Sequence, residues 1–188
     1  MDPIKFVDSL DTQKHVVLVY DDQPFGKMIQ FRFINNGLMK GENCIYFTHG
    51  DPKIIKNEMD ESGIDVKEFV QKNLLHIHQI SSPEKDPAGI MVGYENIVKQ
   101  ATVDKKPPYR IVGRIMPNIG IEEVMSVQIA IERMAHTTFE KLNSTVLCEY
   151  DFNEIPPKDH KMWLGRLCTY HHAAIVSTRS GMSMAAYL

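Results

Sequence analysis

The segment from Asp21 to Met28 contains half of a phosphate-binding loop. A complete loop reads G-x-x-x-x-G-K-[ST]: its glycines let backbone N–H groups surround phosphate oxygens, its lysine contacts the outer phosphates, and its hydroxyl ligates Mg²⁺. Gly26 and Lys27 are present, but Asp21 occupies the first glycine position and Met28 the hydroxyl position. A carboxylate repels a polyphosphate, and a thioether is a poor ligand for a hard cation. The sequence therefore predicts a loop that does not support ATP hydrolysis.

Lys27 still allows two interpretations. Gly26 and Lys27 precede an amphipathic segment, and the N-terminus of a helix there would attract an anion or a weakly held nucleotide. The alternative is a solvated lysine in the first turns of a helix.

Histidine and cysteine residues form two further candidate groups. His76 and His78 share one face of a predicted strand, but two ligands alone do not make a metal site. Cys148 lies near the end of a predicted strand and His171 and His172 follow a predicted helix, so a thiolate and an imidazole could meet across a crevice. Burial of Cys148 beside a helix-capping histidine is the alternative, and no C-x-x-C or H-E-x-x-H pattern is present. We therefore expect no metal and no cofactor.

Short β-branched runs alternate with longer helical patterns, which predicts repeated βαβ units and a mainly parallel, buried sheet. The predicted strands are His15–Tyr20, Asn43–His49, Leu74–Ile80, Tyr109–Met116, Ser144–Asp151 and Ala173–Thr178. The predicted helices are Pro24–Lys40, Pro52–Ser62, Gly89–Val103, Ile121–Leu142 and Pro157–Thr169. The apolar tail from Ser177 to Leu188 is expected to dock as a short element.

Length and composition limit the possible classes of protein. A chain of 188 residues can bury a full core, so we expect residues 1–188 to form a single domain. A formal charge of −3 gives no reason to expect nucleic acid. No apolar run approaches the roughly 18 residues that cross a bilayer, and Asp2, Lys5 and Asp8 replace a signal-peptide core. Three scattered cysteines do not suggest a disulfide framework. We expect a cytoplasmic protein that binds no membrane.

In an open parallel sheet, ligands bind beyond the carboxyl ends of the strands. The predicted strands end at Tyr20-Asp21-Asp22, Thr48-His49-Gly50, Arg114-Ile115-Met116-Pro117 and Cys148-Glu149-Tyr150-Asp151. These four strand ends form the candidate ligand pocket.

The segment Gln30–Phe47 resembles the helix and second strand of the RecA/KaiC-like ATPases. Taken with His15–Asp21 and Val146–Asp151, it is more similar to a non-catalytic relative, the MEDS domain, which is named after the methanogen and methylotroph sensory regulator DcmR. The resemblance runs from about His15 to about Ile175. It implies a three-layer α/β fold of the RecA/KaiC-like (Rossmannoid) type, with a mainly parallel sheet and helices on both faces. It also implies a sensory role.

The resemblance further implies that catalytic groups have been lost. The strand-two end, where the KaiC-like ATPases carry paired water-activating glutamates, reads His49-Gly50. The strand-four end, where they carry a metal-orienting aspartate, offers Arg114 and Met116. Without these acids, phosphoryl transfer has neither an oriented water nor charge neutralisation. We therefore expect no enzymatic turnover.

By resemblance to MEDS domains, a histidine beside the first strand, a Cys-x-Tyr after the fifth and a histidine after the last helix are expected to face the ligand. These positions correspond to His15, Cys148, Tyr150 and one of His171 or His172, of which we select His172. Relatives commonly carry an acid where this chain has Arg114. The exchange inverts the charge there and implies an anionic ligand, rather than the hydrocarbon-type ligand proposed for the family.

The resulting hypothesis is a stand-alone sensor that binds a small molecule and regulates a signalling partner protein. Its candidate ligand-binding residues are His15, Tyr20, Asp21, Lys27, His49, Arg114, Cys148, Tyr150 and His172. Lys27 and Arg114 would anchor an anionic group, while Cys148 would provide a polarisable contact. The alternatives are a divergent KaiC-like nucleotide-binding protein or weak ATPase, and an interaction subunit without a ligand. The apolar segment from residue 119 to 142 suits a helix packed under the sheet or against a second subunit of a homo-oligomer.

Overall fold

The computed structural model describes residues 1–11, 13–179 and 183–188. Its strands are β1 His15–Tyr20, β2 Asn43–Thr48, β3 Leu75–Gln79, β4 Tyr109–Val112, β5 Ser144–Asp151, β6 Ala173–Ser177 and β7 Ser183–Tyr187. In the described segments these seven strands form one sheet in the order β3-β2-β4-β5-β1-β6-β7. Strands β1 to β6 run parallel, and β7 pairs with β6 in the antiparallel direction.

The helices cover both faces of this sheet. They are α1 Pro3–Ser9, α2 Gln23–Met39, α3 Pro52–Glu61, α4 Val66–Gln71, α5 Ile90–Thr102, α6 Glu122–Thr138 and α7 His160–Thr169. Helices α1 to α4 pack on one face, and α5, α6 and α7 pack on the other. The expected three-layer arrangement with a mainly parallel sheet is therefore confirmed. Among the described residues, no helix has the length and apolar character to cross a membrane.

Strand β1 shows how the two faces divide the side chains. Val16 and Leu18 pack towards α2, whereas Val17 and Val19 pack towards α6 and α7. All six residues of β1 are buried because helices cover both faces. Consecutive residues of a strand point to opposite faces, so neighbours in the sequence enter separate environments.

Two predicted boundaries differ from the structure by four residues because of local backbone geometry. Strand β4 ends at Val112, four residues before the predicted end at Met116. The next residue, Gly113, has a φ of 135°, and a Cβ atom there would lie 2.8 Å from the Cβ of Phe47. The predicted helix Ile121–Leu142 is instead α6 followed by a 3₁₀ turn over Phe139–Leu142.

Three elements were not predicted, namely α1, α4 and β7. Helix α1 has seven residues and α4 has six, so both are too short for a clear helical period. The docking of the tail is confirmed for residues 183–188, where β7 lies against β6. Residues 180–182 of the predicted tail lie outside the described segments.

An ion pair between Arg110 and Glu42 lies under α2. The side chain of Arg110 is fully buried in β4, its Nε lies 2.7 Å from Oε2 of Glu42, and its Nη2 lies 3.3 Å from Oε1. Gly37 leaves room for this side chain, because a Cβ there would lie 2.5 Å from Cδ of Arg110. A buried guanidinium needs its carboxylate, since an unpaired charge in the interior is costly.

We expect Glu42→Ala to reduce the free energy of unfolding by about 3–5 kcal/mol, because it leaves Arg110 buried and unpaired. The matched control is Asp8→Ala, which removes the partner of Arg32 from a pair whose side chains are 38% and 46% exposed. It should cost at most about 1 kcal/mol. Urea unfolding measures both values, and equal losses would contradict the distinction.

Candidate functional site

A buried carboxylate, that of Glu132, is the centre of the most concentrated polar group in the molecule's interior. Glu132 lies on the face of α6 that packs on the sheet and is 1% exposed. Its Oε1 accepts hydrogen bonds from the hydroxyl of Tyr150 and from Nε2 of Gln128, the latter at 2.6 Å. Its Oε2 lies 3.3 Å from Sγ of Cys148 and 3.2 Å from Nε2 of His15. The two carboxylate oxygens therefore have different sets of partners.

Nε2 of His171 completes this group at 3.4 Å from Oε2 of Glu132. We refer to His15, Glu132, Cys148 and His171 as the Glu132 cluster; their ligand-type atoms all lie within 4.8 Å of one another. All four residues are buried. The Glu132 cluster therefore joins α6 to β1, to β5 and to the junction between α7 and β6.

Local structure explains why these side chains meet. His15 opens β1 on the face that carries Val17, and Cys148 lies opposite Val17 on the neighbouring strand β5. Tyr150 is two residues after Cys148 and therefore shares its face. Gln128 and Glu132 are four residues apart on α6, so both point towards the sheet. His171 follows the end of α7 and stacks on the ring of His15 with ring centroids 4.0 Å apart.

Hydrogen bonds to the backbone fix the tautomers of the two histidines. Nδ1 of His15 lies 2.8 Å from the carbonyl oxygen of Tyr170, and Nδ1 of His171 lies 2.7 Å from that of Leu167. A carbonyl oxygen only accepts, so each Nδ1 carries a proton. In the neutral rings both Nε2 atoms therefore direct a lone pair towards Glu132.

Burial changes the protonation behaviour of these groups. It lowers the pKa of His15 to about 4, because the interior disfavours the imidazolium. It raises the pKa of Cys148 well above its usual value, and the neighbouring Glu132 adds to this effect. Burial alone would raise the pKa of Glu132, but hydrogen bonds and positive charge from His15 and His171 in their protonated forms outweigh burial and lower it well below the usual value.

A small cavity adjoins the Glu132 cluster between the sheet and helices α5 and α6. Its volume is about 50 Å³. Most of its wall is apolar and includes Phe47, Tyr94, Ile111, Ile131, Phe139 and Val146. The polar wall is formed by Glu132, Cys148, Gln128 and Arg114. This volume exceeds the roughly 10–15 Å³ that one water needs, so the cavity accommodates a small molecule of about four or more heavy atoms.

The carboxyl ends of the strands hold a second polar group. The hydroxyl of Tyr20 donates to Oε2 of Glu149 at 2.7 Å, on the α2 face of the sheet. Lys27 lies 3.1 Å from Oε2 of Glu58, and Arg114 lies 2.7 Å from Oε2 of Glu154. Lys27 and Arg114 therefore both have an acidic partner.

The structure places five of the nine candidate residues in these two groups. His15, Cys148 and Tyr150 surround Glu132, whereas Tyr20 and Lys27 lie on the opposite face of the sheet. The sheet therefore separates the two groups.

The other four candidates lie apart from the Glu132 carboxylate. His49 follows β2 and is half-buried, and Oδ1 of Asp21 accepts a hydrogen bond of 2.6 Å from the backbone N–H of Arg179. Arg114 lines the cavity from the end of β4. Nδ1 of His172 accepts a hydrogen bond from the backbone N–H of His15 at 3.1 Å. Of the two adjacent histidines, His171 is therefore the one whose ring lies beside Glu132.

Sequence reasoning did not identify Glu132, Gln128 or Glu149. A signal for the first two was present, because Gln128 and Glu132 stand four residues apart on the otherwise apolar face of α6. Two buried polar residues at this spacing indicate a shared partner. For Glu149, the signal is its position between Cys148 and Tyr150 in β5. Successive side chains of a strand point to opposite faces, so Glu149 must point to the face opposite to theirs.

The connection between β1 and α2 consists of only Asp21 and Asp22. Gly26 is already in the first turn of α2, where a Cβ atom would lie 2.6–2.8 Å from three ring atoms of Tyr20. The glycine therefore permits close packing of the helix on Tyr20. Lys27 follows it within the helix and contacts the ring of Phe31, with Nζ 5.5 Å from the ring centroid.

The fold defines a class of structure, a three-layer α/β domain with a mainly parallel sheet. A KaiC-like protein from the hyperthermophilic archaeon Pyrococcus horikoshii has a similar structure, with a TM-score of 0.57 and 17% sequence identity over 91% of this chain and 76% of that chain. At this identity the similarity concerns the fold alone.

The family model for MEDS, the methanogen/methylotroph DcmR sensory domain, matches residues 14–164. The chain belongs to the MEDS family, as its sequence resemblance indicated, and this membership supports a signal-sensing role. No curated protein matches the sequence. The matched residues include Glu132, Cys148 and Tyr150.

We expect Gly26→Ala to destabilise the protein by about 1–3 kcal/mol, because its methyl group would overpack the ring of Tyr20. That ring is 6% exposed and held by Glu149, so it has little room to move. The control is Gly165→Ala in α7, where a Cβ would meet nothing within 4 Å. It should raise stability by up to about 1 kcal/mol. Urea unfolding compares the two, and equal or higher stability of Gly26→Ala would contradict the packing role.

Proposed function

We propose that this chain is a signal-sensing domain that binds a small, mainly apolar molecule in the cavity beside Glu132 and Cys148. The observation that carries the proposal is the cavity itself, which is lined by apolar side chains and has hydrogen-bonding groups on one wall. This combination is typical of small-molecule sites. Membership of a sensory family supports the same function. In this proposal the protein acts in the cytoplasm and regulates a partner protein, without hydrolysing ATP.

The surroundings of Arg114 favour a neutral ligand over the anionic one that the sequence suggested. Arg114 pairs with Glu154, and the charge of Glu149 raises its pKa further. Glu132 also contributes a negative charge to the cavity wall. Nε and Nη1 of Arg114 have no hydrogen-bond partner in the described part of the chain, so they can donate to a neutral acceptor, whereas an anion would also be repelled by Glu132.

The proposed location of the ligand differs from the one expected from the sequence, which was a pocket at the carboxyl ends of four strands. The cavity reaches the end of β4 at Gly113 and Arg114, but most of it lies between the sheet and α6. A ligand here contacts α6 directly. Binding changes the behaviour of a partner if the ligand prefers one of two positions of this helix.

The cavity size sets the affinity that an experiment must detect. A ligand of about four heavy atoms can gain at most about 1.5 kcal/mol per atom, or about 6 kcal/mol in total. This corresponds to a Kd of roughly 40 µM. Ligand titrations therefore need to extend into the millimolar range.

We expect at least one of methanol, ethanol, propan-2-ol, acetone, methanethiol and dimethyl sulfide to bind in the cavity. Binding should shift the methyl NMR signals of Ile111 and Ile131 and raise the melting temperature. At 100 times Kd the stabilisation should reach about 2.7 kcal/mol.

The variant Ala135→Leu fills the cavity from α6 and should abolish both effects. Ala130→Leu on the exposed side of the same helix is the matched control and should retain them. Equal responses in the two variants, or none in the wild type, would contradict the cavity as the ligand site. Absence of any response would favour an interaction subunit without a ligand.

The alternative of a divergent nucleotide-binding protein or weak ATPase has less support. The connection between β1 and α2 has only two residues to surround a phosphate. Lys27, which would contact that phosphate, lies 3.1 Å from Glu58. Glu149 adds a further acid at the same edge, and the hydrogen bond from Tyr20 holds it in place. A triphosphate would therefore meet acidic groups where a nucleotide site needs donors.

We expect no Mg²⁺-dependent release of phosphate from ATP, and the same background rate for the wild type and for Lys27→Ala. A colorimetric phosphate assay measures both rates. Release that depends on Mg²⁺ and disappears in Lys27→Ala would support the ATPase alternative instead.

A further inference from the structure

We propose that His15, Glu132, Cys148 and His171 form a four-ligand binding site for one Zn²⁺ ion. The sequence led us to expect no metal, because it contains no metal-binding motif. The four ligands come instead from β1, α6, β5 and the segment between α7 and β6, so they meet only in the folded chain. The site shares Glu132 and Cys148 with the wall of the proposed ligand cavity, but Zn²⁺ binding can be tested without any organic ligand.

The distances between donor atoms fit a tetrahedral ion. Zinc bonds of about 2.0–2.3 Å place neighbouring donors about 3.3–3.8 Å apart in a tetrahedron. Nε2 of His15 lies 3.2 Å from Oε2 of Glu132 and 3.2 Å from Sγ of Cys148, and Oε2 lies 3.3 Å from that sulfur. Nε2 of His171 is 3.4 Å from the same oxygen. The other two pairs of donor atoms lie within 4.8 Å, so shifts of up to about 1 Å would bring all four donors to a tetrahedral ion.

The hydrogen atoms are arranged as a metal site requires. Histidine ligands of metals usually donate their second N–H to a carbonyl or a carboxylate, which orients the ring. His15 and His171 both do so through Nδ1, to Tyr170 and Leu167. Each therefore presents the lone pair of Nε2 to the centre of the Glu132 cluster.

The carboxylate of Glu132 is oriented in the same way. Tyr150 and Gln128 both donate to Oε1, so Oε2 is the oxygen that faces the histidines and Cys148. Without a cation, two nitrogen lone pairs and one oxygen of a carboxylate face one another across at most 4.8 Å. In the described part of the chain, Nε2 of His171 has no hydrogen-bond partner. A metal ion would satisfy all of these acceptors at once.

The types of donor select the metal. Two imidazoles, one thiolate and one carboxylate are typical Zn²⁺ ligands, whereas Mg²⁺ and Ca²⁺ prefer sites made of oxygen atoms. On binding, the S–Zn bond replaces the S–H bond of Cys148, and that proton passes to solvent. Four protein ligands close the coordination sphere, which is typical of structural zinc. The ion would hold α6 and the start of β6 against β1 and β5.

The test uses the full chain after removal of metals with a chelator. We expect Zn²⁺ to bind with a stoichiometry of one and to raise the melting temperature. Co²⁺ should bind at the same place and give the absorption of a tetrahedral cobalt ion, with a thiolate-to-cobalt charge-transfer band. Absence of stoichiometric binding, or a cobalt spectrum without the thiolate band, would overturn the proposal.

Variants identify the ligands. Cys148→Ser should remove the charge-transfer band, and Glu132→Gln should weaken Zn²⁺ binding roughly 100-fold or more. The control Cys168→Ser changes a half-buried cysteine outside the Glu132 cluster and should leave the band and the affinity unchanged. A band that survives Cys148→Ser, or that disappears in Cys168→Ser, would contradict the site.

A third variant covers the case in which loss of a ligand prevents folding. Tyr150→Phe keeps all four ligands but removes a hydrogen bond that positions Glu132. Loss of such a positioning contact typically weakens metal binding roughly 10–100-fold. The variant should therefore keep the thiolate band but need more Co²⁺ to reach it. An unchanged affinity would contradict the proposed role of Oε2 as the ligand.

Discussion

The sheet is buried on both faces, and this constraint decides where every polar side chain of its strands must go. A strand sends alternate residues to opposite faces, so a polar residue in β1 or β5 enters one of two separate interiors. Cys148 and Tyr150 point towards α6, while Glu149 between them points towards α2. Each buried polar group must then find partners on its own side of the sheet. The polar groups around Glu132 and Glu149 follow from this requirement.

On the α6 side, the partners gather around Glu132. A buried carboxylate is costly unless hydrogen bonds or opposite charges compensate it. Tyr150 and Gln128 satisfy one oxygen, and the other faces His15, His171 and Cys148. This polar group is also one wall of an apolar cavity. A binding event in the cavity would therefore act on residues that connect α6 with β1, with β5 and with the junction between α7 and β6.

On the α2 side of the sheet, the polar side chains form charge pairs at the edge rather than a buried cluster. The edge where such a sheet receives ligands is occupied by paired charges, such as Lys27 with Glu58. Tyr20 and Gly26 bring α2 close to β1, which leaves a connection of two residues. In this fold the Glu132 cluster thus lies beneath the sheet, whereas the edge carries paired charges.

The sequence by itself determined the alternation of strands and helices, because periodic patterns and turn residues act locally. The strands β1 and β5 were predicted at the bounds that the structure gives them, and the family resemblance holds over residues 14–164. The sequence also indicated that His15, Cys148 and Tyr150 belong together, although only through resemblance to a family. The short elements α1 and α4 were missed because six or seven residues show less than two helical turns.

Only the tertiary structure decided which residues meet. Glu132 is 117 residues from His15 and 16 from Cys148, and no motif links the three. Their contact depends on the order of strands, which pairs β1 with β5, and on the rotation of α6 about its own axis. The choice of His171 over His172 is of the same kind, since it depends on the direction in which the chain leaves α7. Such contacts come from the packing of distant segments, and local patterns in a sequence do not encode their distances.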